Sequence, residues 1–309
     1  MKLDLNQTLG LKGEYTIRKR CALTNRVLQE VGPFHNLITD IGLNRIGTTA
    51  PTLSHCYVGT GTVPPAVTDT TMSTFKVSSN SAGAVAQTAG SAPTWTCSMS
   101  RTYTFNAGTI NGNITEVGVG WNASPVGALW SRELIVDSGG NPIAITILAT
   151  EILEVVYALR LVIPQNIGTG TFTMGPNTFN YQIKAANAGS WRIDPTSFMN
   201  PPFMYTTYAA DAAMSATIAG NISGTVVTGA PTQTPIVYVN NSLERVGFTS
   251  WALAQGNHAT GVKGFNVGFD AGGSGFATTF YQMLLDAPIP KTNLNTMIIR
   301  NRYTWNRVP

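Results

Sequence analysis

The histidines and cysteines are the first residues to consider as metal ligands or nucleophiles. The chain has three of each, namely His35, His55 and His258, and Cys21, Cys56 and Cys97. His55 and Cys56 are adjacent and, with another cysteine, could in principle hold zinc. No pair shows CxxC or HxxxH spacing, however, and neighbours on a strand point to opposite faces. We therefore expect no metal site, and we expect His35 to pack beside a helix.

Hydrolytic chemistry would need a nucleophile on a sharp turn, a positioned histidine and an acid, and the chain has no GxSxG motif. Glu151 and Glu154 could form a carboxylate pair for glycoside cleavage, but residues three apart on a strand face opposite sides. The aspartates beside Gly, Pro, Ala or Ser are expected to cap local backbone; they are Asp137, Asp194, Asp211, Asp270 and Asp286. The Gly-rich stretches 59–62 and 271–276 lack the lysine and following helix of a phosphate loop. The sequence predicts no catalytic residue and no cofactor.

Tryptophans offer the one route to sugar binding, because their rings could form stacking platforms. The chain has six of them: Trp95, Trp121, Trp130, Trp191, Trp251 and Trp305. Most stand at alternating positions of strand-like segments, which favours packing in a core.

The composition bounds the class of protein. The 309 residues predict two domains of ordinary size, and 43% of the residues are hydrophobic. Only 11% are Asp, Glu, Lys or Arg, against about 25% in a typical soluble domain. Such a surface has little charge repulsion and loses little hydration when it is covered, which favours burial in an assembly over a secreted β-protein. The net charge of +4 is too small to predict nucleic acid as a partner.

The basic residues cluster at both ends of the chain. Candidate interface residues for an acidic neighbour are Arg18, Lys19, Arg20, Arg26, Arg300 and Arg302. The alternative is that they form a solvated terminal face. Between Gly47 and Ser131 the only charged residues are Asp69, Lys76, Arg101 and Glu116.

The cellular compartment follows from what the sequence lacks. Three cysteines cannot form a disulfide framework, and their odd number fits assembly in a reducing cytoplasm. The first residues lack the apolar core of a signal peptide, so we expect none. No stretch approaches 18 apolar residues, so we expect no membrane span.

The local pattern is that of an all-β protein with one short helix. FHNLITDIGLNRIG (34–47) has apolar residues at helical spacing, from Leu37 to Ile46, and Gly47 is a natural stop. Residues 14–32 are expected to be extended. From Tyr57 onward, segments such as TWTCSMSRTYTF and EILEVVYALRLVIP alternate β-branched, aromatic and small residues between Gly, Asn and Pro turns.

Three pairs of segments recur in the same order. TDTTMSTF (68–75) matches ADAAMSAT (210–217), GNITEVGVGW (112–121) matches GVKGFNVGF (261–269), and residues 140–164 match 286–309. A tandem duplication would produce this order, with Trp121 and Phe269 in equivalent core positions. We predict two tandem, related β-sandwich domains of jelly-roll or Ig-like type at 48–165 and 166–309, after an N-terminal segment at 1–47 that contains a docking strand and the helix.

Three stretches resemble virion structural proteins of tailed bacteriophages. GPFHNLITDIGLNRIG is similar to an N-L-I-T-(D/N)-x-G-L segment of such proteins, and YVGTGTVPPAVTDTTM (57–72) to a V-G-x-G-T-x-x-P-x-x-x-D-T-x-(L/M) stretch. ITEVGVGW, followed by ALWSREL and EVVYALRL, resembles the I-x-E-(I/V)-G and L-x-x-R end of the same domains. The resemblance covers about residues 35–162.

The resemblance implies a structural subunit of the tail, tail tip or collar that assembles with copies of itself and other virion proteins. A capsid decoration or head-fibre protein is the alternative within this class. A receptor- or glycan-binding module is an alternative from another class, and a depolymerase would be an enzyme. The implied location is the virion, assembled in the host bacterial cytoplasm.

Overall fold

A computed structural model describes residues 2–48, 52–88, 90–91, 95–162, 164–174, 176–187, 203–268 and 279–308. It confirms an all-β chain with one short helix. The strands of the first half are β1 (Lys2–Cys21), β2 (Val27–His35), β3 (Leu37–Ile38), β4 (His55–Gly59), β5 (Phe75–Ser79), β6 (Ala86–Thr88), β7 (Cys97–Phe105), β8 (Gly112–Ile114), β9 (Glu116–Gly120), β10 (Leu129–Leu134), β11 (Ile145–Ile147) and β12 (Glu151–Val162). Those of the second half are β13 (Asn166–Met174), β14 (Asn177–Ala185), β15 (Phe203–Ala209), β16 (Thr232–Pro235), β17 (Glu244–Trp251), β18 (Val262–Gly268), β19 (Thr279–Ile289) and β20 (Met297–Arg307).

The long strand β1 lies at the centre of the largest sheet and pairs with strands from both halves of the chain. Its later part is antiparallel to β12, from Gly10 opposite Val162 to Cys21 opposite Glu151. Its earlier part is parallel to β20 and ends at the pair Leu11–Arg307. β20 pairs with this edge of β1 only as far as Leu11. Beyond that point, β2 pairs with the same edge of β1. One strand therefore connects the first and last parts of the described chain by backbone hydrogen bonds.

The order of strands in this sheet is β16-β17-β20-β1-β12-β7-β6. Every neighbouring pair is antiparallel except β1 and β20. A half-turn about an axis normal to the sheet therefore exchanges β20, β17 and β16 with β12, β7 and β6, in both order and direction.

Two further five-stranded sheets lie against this one, with orders β3-β10-β9-β4-β5 and β13-β14-β19-β18-β15. In the first, β9 lies between β4 and β10, and in the second, β18 lies between β15 and β19. The matched segments VGW and VGF of the sequence begin on β9 and β18. A two-stranded sheet of β8 and β11 completes the fold.

Aromatic side chains join the sheets. Trp130 of β10 donates its indole N–H to the hydroxyl of Tyr157 on β12, at 2.7 Å. In the second half, the rings of Tyr281 on β19 and Tyr303 on β20 stack with centroids 6.4 Å apart. These rings are buried. Because burial alternates along both β12 and β20, each strand presents one face to the core, as the period-two pattern of the sequence predicts.

The helix α1 spans Asp40–Thr48, so it starts later than the apolar spacing predicts. Leu37 and Ile38 instead form β3 and pair with β10. The reason is local: the side-chain oxygen of Thr39 accepts the N–H of Gly42 at 3.0 Å, which is the hydrogen bond of an N-cap, so the helix begins after Thr39. The predicted helix is confirmed, and its first turn is corrected.

The second half of the chain covers this helix. Trp305 of β20 donates its indole N–H to the carbonyl of Leu43 at 2.9 Å, and the Tyr238 hydroxyl donates to Asn44 Oδ1 at 2.9 Å. Gly47 packs directly against the ring of Tyr238. A Cβ at this position would lie 2.1 Å from the ring, so the contact needs a glycine.

The domain division at residue 165 stays a prediction. Trp121 is half-buried and packs against the core, with the Arg45 guanidinium 4.9 Å from its ring centroid. Its predicted counterpart Phe269 lies outside the described residues, as do Trp191, Asp194, Asp270 and the stretch 271–276.

Because Trp305 is fully buried between the two halves, Trp305→Ala should lower the free energy of unfolding by about 3–5 kcal/mol. Ile298→Ala, on the same strand but 37% exposed, should cost less than about 1 kcal/mol. Urea denaturation followed by tryptophan fluorescence and by circular dichroism measures both. Similar losses for the two variants would contradict this packing.

Candidate functional site

Two of the three stretches that resemble phage proteins meet at one buried ion-pair cluster, and the first stretch reaches the same loop through the Asp40 N–H, which donates to the Val67 carbonyl at 2.8 Å. Glu116 comes from β9, Arg132 from β10, and Asp69 from the loop between β4 and β5. Arg132 Nη1 lies 2.9 Å from Glu116 Oε2, and Arg132 Nε lies 2.6 Å from Asp69 Oδ2. The side chains of Arg132 and Glu116 are 2% and 0% exposed. We call Asp69, Glu116 and Arg132 the ion-pair cluster.

Glu116 binds the backbone of the loop that covers it. Its Oε1 accepts the N–H groups of Gly61 and Thr74, at 3.1 and 2.6 Å, and its Oε2 accepts that of Ser73 at 3.1 Å. A buried carboxylate is costly unless its acceptor sites are filled, and here both oxygens are. Glu116 therefore holds the start and the end of the loop on the outer face of the sheet.

Arg132 holds the middle of the same loop. Its Nη2 donates to the carbonyls of Val63 and Pro64, at 3.2 and 3.1 Å. Asp69 Oδ2, besides contacting Arg132, accepts the N–H of Ala66 at 2.7 Å. The planar guanidinium presents donors in a fixed fork, so it can bind two carboxylates and two carbonyls at once.

The glycines of the V-G-x-G-T pattern are explained by the same cluster. A Cβ on Gly59 or Gly61 would lie 2.4 or 2.5 Å from Glu116 Oε1. Only a residue without a side chain lets the loop approach the carboxylate this closely.

In the second half, a buried neutral amide, Gln282, lies opposite β18 much as Arg132 lies opposite β9. Arg132 pairs with Gly118 of β9, which precedes Val119. Gln282 pairs with Asn266 of β18, which precedes the matched Val267. Gln282 is fully buried, and its Oε1 accepts the N–H of Ser215 at 2.7 Å. In the matched segments, Met214-Ser215 is aligned with Met72-Ser73. The Ser73 N–H is one of the three N–H groups that Glu116 accepts.

The predicted interface cations near the N-terminus are ion-paired within the chain. Arg18 Nε lies 2.7 Å from Glu30 Oε2, and Arg20 Nε lies 2.7 Å from Glu154 Oε2. Lys19 Nζ lies 3.4 Å from Glu151 Oε1.

Near the C-terminus, Arg302 pairs with Glu244 at 2.7 Å, and Arg307 pairs with Asp40 of the helix. Arg300 lies opposite Phe248 in the register of β17 and β20, and Arg26 is exposed at the turn between β1 and β2. The structure thus brings four of the six predicted interface residues onto acidic partners of the same chain. Whether any of the six contacts a neighbouring subunit stays a prediction.

The histidines lie apart from one another, each beside its own local partner. His35 is 3.7 Å from Glu14, His55 contacts the Ser54 hydroxyl at 2.9 Å, and His258 contacts the Thr260 hydroxyl at 2.9 Å. Burial, with a smaller contribution from Arg101, lowers the pKa of His55. In the described part of the chain, no three His, Cys, Asp or Glu side chains gather as metal ligands would.

Among the predicted turn aspartates that the structure describes, Asp137 caps its own turn, as the sequence predicts: its Oδ1 accepts the N–H groups of Asn141 and Gly139. Asp211 and Asp286 instead bind residues distant in sequence, Thr225 and Asn180, and Asp286 lies within β19. The Asn141 N–H at Asp137, the Thr225 hydroxyl at Asp211 and the Asn180 side-chain amide at Asp286 are the main hydrogen bonds that stabilise the ionised form and lower the pKa of each carboxyl group.

Three of the five tryptophans that the structure describes are core residues. Trp130, Trp251 and Trp305 are fully buried, whereas Trp95 and Trp121 are partly exposed. The three buried rings cannot stack on a sugar at the surface.

The ion-pair cluster itself is not predicted by the sequence analysis. The sequence does contain a signal for the ion-pair cluster: Asp69 and Glu116 are two of only four charged residues between Gly47 and Ser131. A charged residue inside an otherwise apolar strand pattern indicates a buried pair, but the partner becomes visible only once β9 and β10 are paired.

Comparison with known proteins identifies no relative: no family model, no curated protein and no solved structure matches the chain. Among the residues that the structure describes, no helix has the length and apolar character to cross a membrane.

Removing the arginine of the ion-pair cluster should destabilise the protein strongly. Arg132→Ala leaves Glu116 buried without its counter-charge, so we expect a loss of about 3–5 kcal/mol in the free energy of unfolding. Backbone amides of Gly61, Ser73 and Thr74 should exchange faster with solvent deuterium because their acceptor is no longer held in place.

The matched control is Arg18→Ala, which breaks an ion pair whose side chains are 35% and 47% exposed. It should cost less than about 1 kcal/mol. Equal effects of the two substitutions, or unchanged exchange at Ser73 in Arg132→Ala, would contradict the role assigned to the ion-pair cluster.

Proposed function

We propose that this chain is a structural, non-enzymatic subunit of a tailed-phage particle, in the tail, tail tip or collar. The observation that carries the proposal is the convergence of the resembling stretches on one loop and the ion-pair cluster beneath it, which the first stretch joins through the hydrogen bond from Asp40 N–H to Val67 O. The residues that carry the resemblance include Arg132, which binds both Asp69 and Glu116, and Gly59 and Gly61, whose lack of a side chain makes room for the ion-pair cluster.

We also propose that the subunit consists of two related β-sandwich domains in tandem. Three observations support this: the symmetric strand order about β1, the serine N–H bound by a buried side chain in each half, and the pairing of β9 and β18, each of which lies between one earlier strand and the strand that follows it along the chain. In this proposal β1 is a strand that both domains share.

The character of the surface also supports a role in assembly. The chain is poor in charge, with 11% Asp, Glu, Lys and Arg, and apolar side chains such as Val63 and Val126 are 59% and 71% exposed. A surface with few charges loses little hydration when a neighbouring subunit covers it. The burial of three tryptophans weakens the case for a glycan-binding module.

The test of the proposal is to locate the protein in purified particles of the phage that encodes it. Antibodies against the recombinant chain, detected by gold labelling in electron micrographs, should mark the tail, tail tip or collar. Labelling of the capsid surface would favour the decoration-protein alternative. Particles without the protein, together with halos produced by the isolated chain on a bacterial lawn, would overturn the structural assignment.

The cations near the N-terminus give a sharper test of docking. In Arg18→Ser/Arg20→Ser, we expect incorporation into particles to fall at least about tenfold if these cations face acidic groups of a neighbour, since buried charge pairs contribute several kcal/mol. Within the chain, the Arg18–Glu30 ion pair is exposed and the Arg20–Glu154 ion pair is partly buried. Their combined contribution to stability is small, so the melting temperature should fall by less than about 5 °C.

The control is Lys76→Ser/Lys263→Ser, which removes two positive charges from other strands. It should leave incorporation unchanged. Normal incorporation of both double variants would mean that Arg18 and Arg20 form a solvated face.

A further inference from the structure

The strand β13 is the outermost strand of its sheet and has no charged residue. It is nine residues long and, among the described strands, pairs with β14 alone; after one register shift between Asn166 and Gly168, its register is regular from Gly168 opposite Ile183 to Met174 opposite Asn177. No charged residue occurs between Arg160 and Lys184. A long, uncharged edge strand is a ready template for another strand, because its outer N–H and C=O groups are unpaired.

The edges of the sheets in the first half are protected in recognised ways. The strands β3 and β6 have two and three residues. β5 carries Lys76 and a register shift, and β2 carries Glu30, Pro33 and two register shifts. Short length, charge, proline and irregular register all oppose edge-to-edge pairing.

The other edges of the second half are protected as well. β16 has four residues and ends in Pro235. The outer side of β15 is occupied by residues 225–227, with Ala209 N bound to Thr225 O and Val227 N bound to Thr207 O, both at 2.9 Å. Among the described edge strands, β13 is the one with a regular run of seven residues, 168–174, that carries neither a charge nor a proline.

The geometry of the β13–β14 hairpin shows which groups face outward. Two residues separate Met174 from Asn177, and the pair that closes such a hairpin is hydrogen-bonded. Hydrogen-bonded and non-bonded pairs then alternate, so Thr169, Thr171 and Thr173 direct their backbone groups away from β14. The side chains of these threonines are also exposed.

We propose that β13 pairs in antiparallel fashion with β13 of a second copy of this chain, about a two-fold axis. In a two-fold contact the same strand meets itself, so every charge on it would face a like charge or a neighbour of one. β13 carries none, and its three exposed threonines are suited to pairing with one another across strands. The product is one continuous sheet of ten strands, five from each copy.

This inference rests on the assembly proposed above and names one contact through which copies associate. Sedimentation equilibrium of the full chain should show a monomer–dimer equilibrium. In Thr169→Lys/Thr171→Lys, four ammonium groups would meet across the axis, and the dissociation constant should rise at least about tenfold. The control Thr178→Lys/Gln182→Lys adds the same charge on the neighbouring strand, at the partners of Thr173 and Thr169, and should leave it unchanged.

Three results overturn the inference. They are a wild-type chain that stays monomeric at millimolar concentration, a dimer that Thr169→Lys/Thr171→Lys does not weaken, and equal weakening by the control. None of these touches the proposed function, which the labelling of particles tests separately. Melting temperatures of both double variants close to that of the wild type show that a loss of dimer is not a loss of fold.

Discussion

The fold depends on the backbone hydrogen bonds that β1 makes along both of its edges. Its later residues pair with β12 and β2, and its earlier residues pair with β20, nearly 300 residues away along the chain. Leu9, Leu11, Tyr15 and Ile17 all lie on the buried face of this strand. The strands on either side of β1 are joined to each other only through it in the described sheet, so pairing of the first strand with the last is needed to complete the sheet. Pairing over such a separation has a large loop-closure cost, which fits slow and cooperative folding.

Charge is rare in this chain, and where it is buried it holds irregular backbone in place. Glu116 and Arg132 fill the hydrogen-bonding groups of a loop that no strand pairs with. In the second half, Lys291 holds irregular backbone in place. This residue is 1% exposed, and its ammonium group donates to Ala252 O at 3.0 Å and to Asn257 Oδ1 at 2.8 Å. A backbone group buried without a partner costs about 1–3 kcal/mol, so one ion that satisfies several of them can offset its own desolvation. Gln282 meets fewer groups, and a neutral amide suffices there.

The parts of this fold that the sequence predicts are those set by local pattern. Strict alternation over 151–162 predicts a half-buried strand, and β12 is one. The helix is predicted because its apolar spacing is local; its start after Thr39 is also set locally, by an N-cap that the apolar spacing alone does not reveal. The parallel pairing of β1 with β20 leaves no trace in either segment, because a strand reads the same whichever neighbour it has. The partners of Arg18 and Arg20 are hidden for the same reason: Glu30 and Glu154 reach them only through strand pairing.

The pairing of the surface charges bears on how such a subunit would assemble. Arg18, Arg20 and Arg302 each lie 2.7 Å from a carboxylate of the same chain, so a neighbour that binds them must compete with that partner. A buried pair at the interface would therefore contribute several kcal/mol less the small contribution of the surface pair that it replaces, and it would also orient the neighbour. Outward backbone groups on an uncharged edge strand have only water to give up. In the proposed assembly, strand edges such as β13 would add stability to the subunit contacts, and the basic ends would also select which neighbour is met.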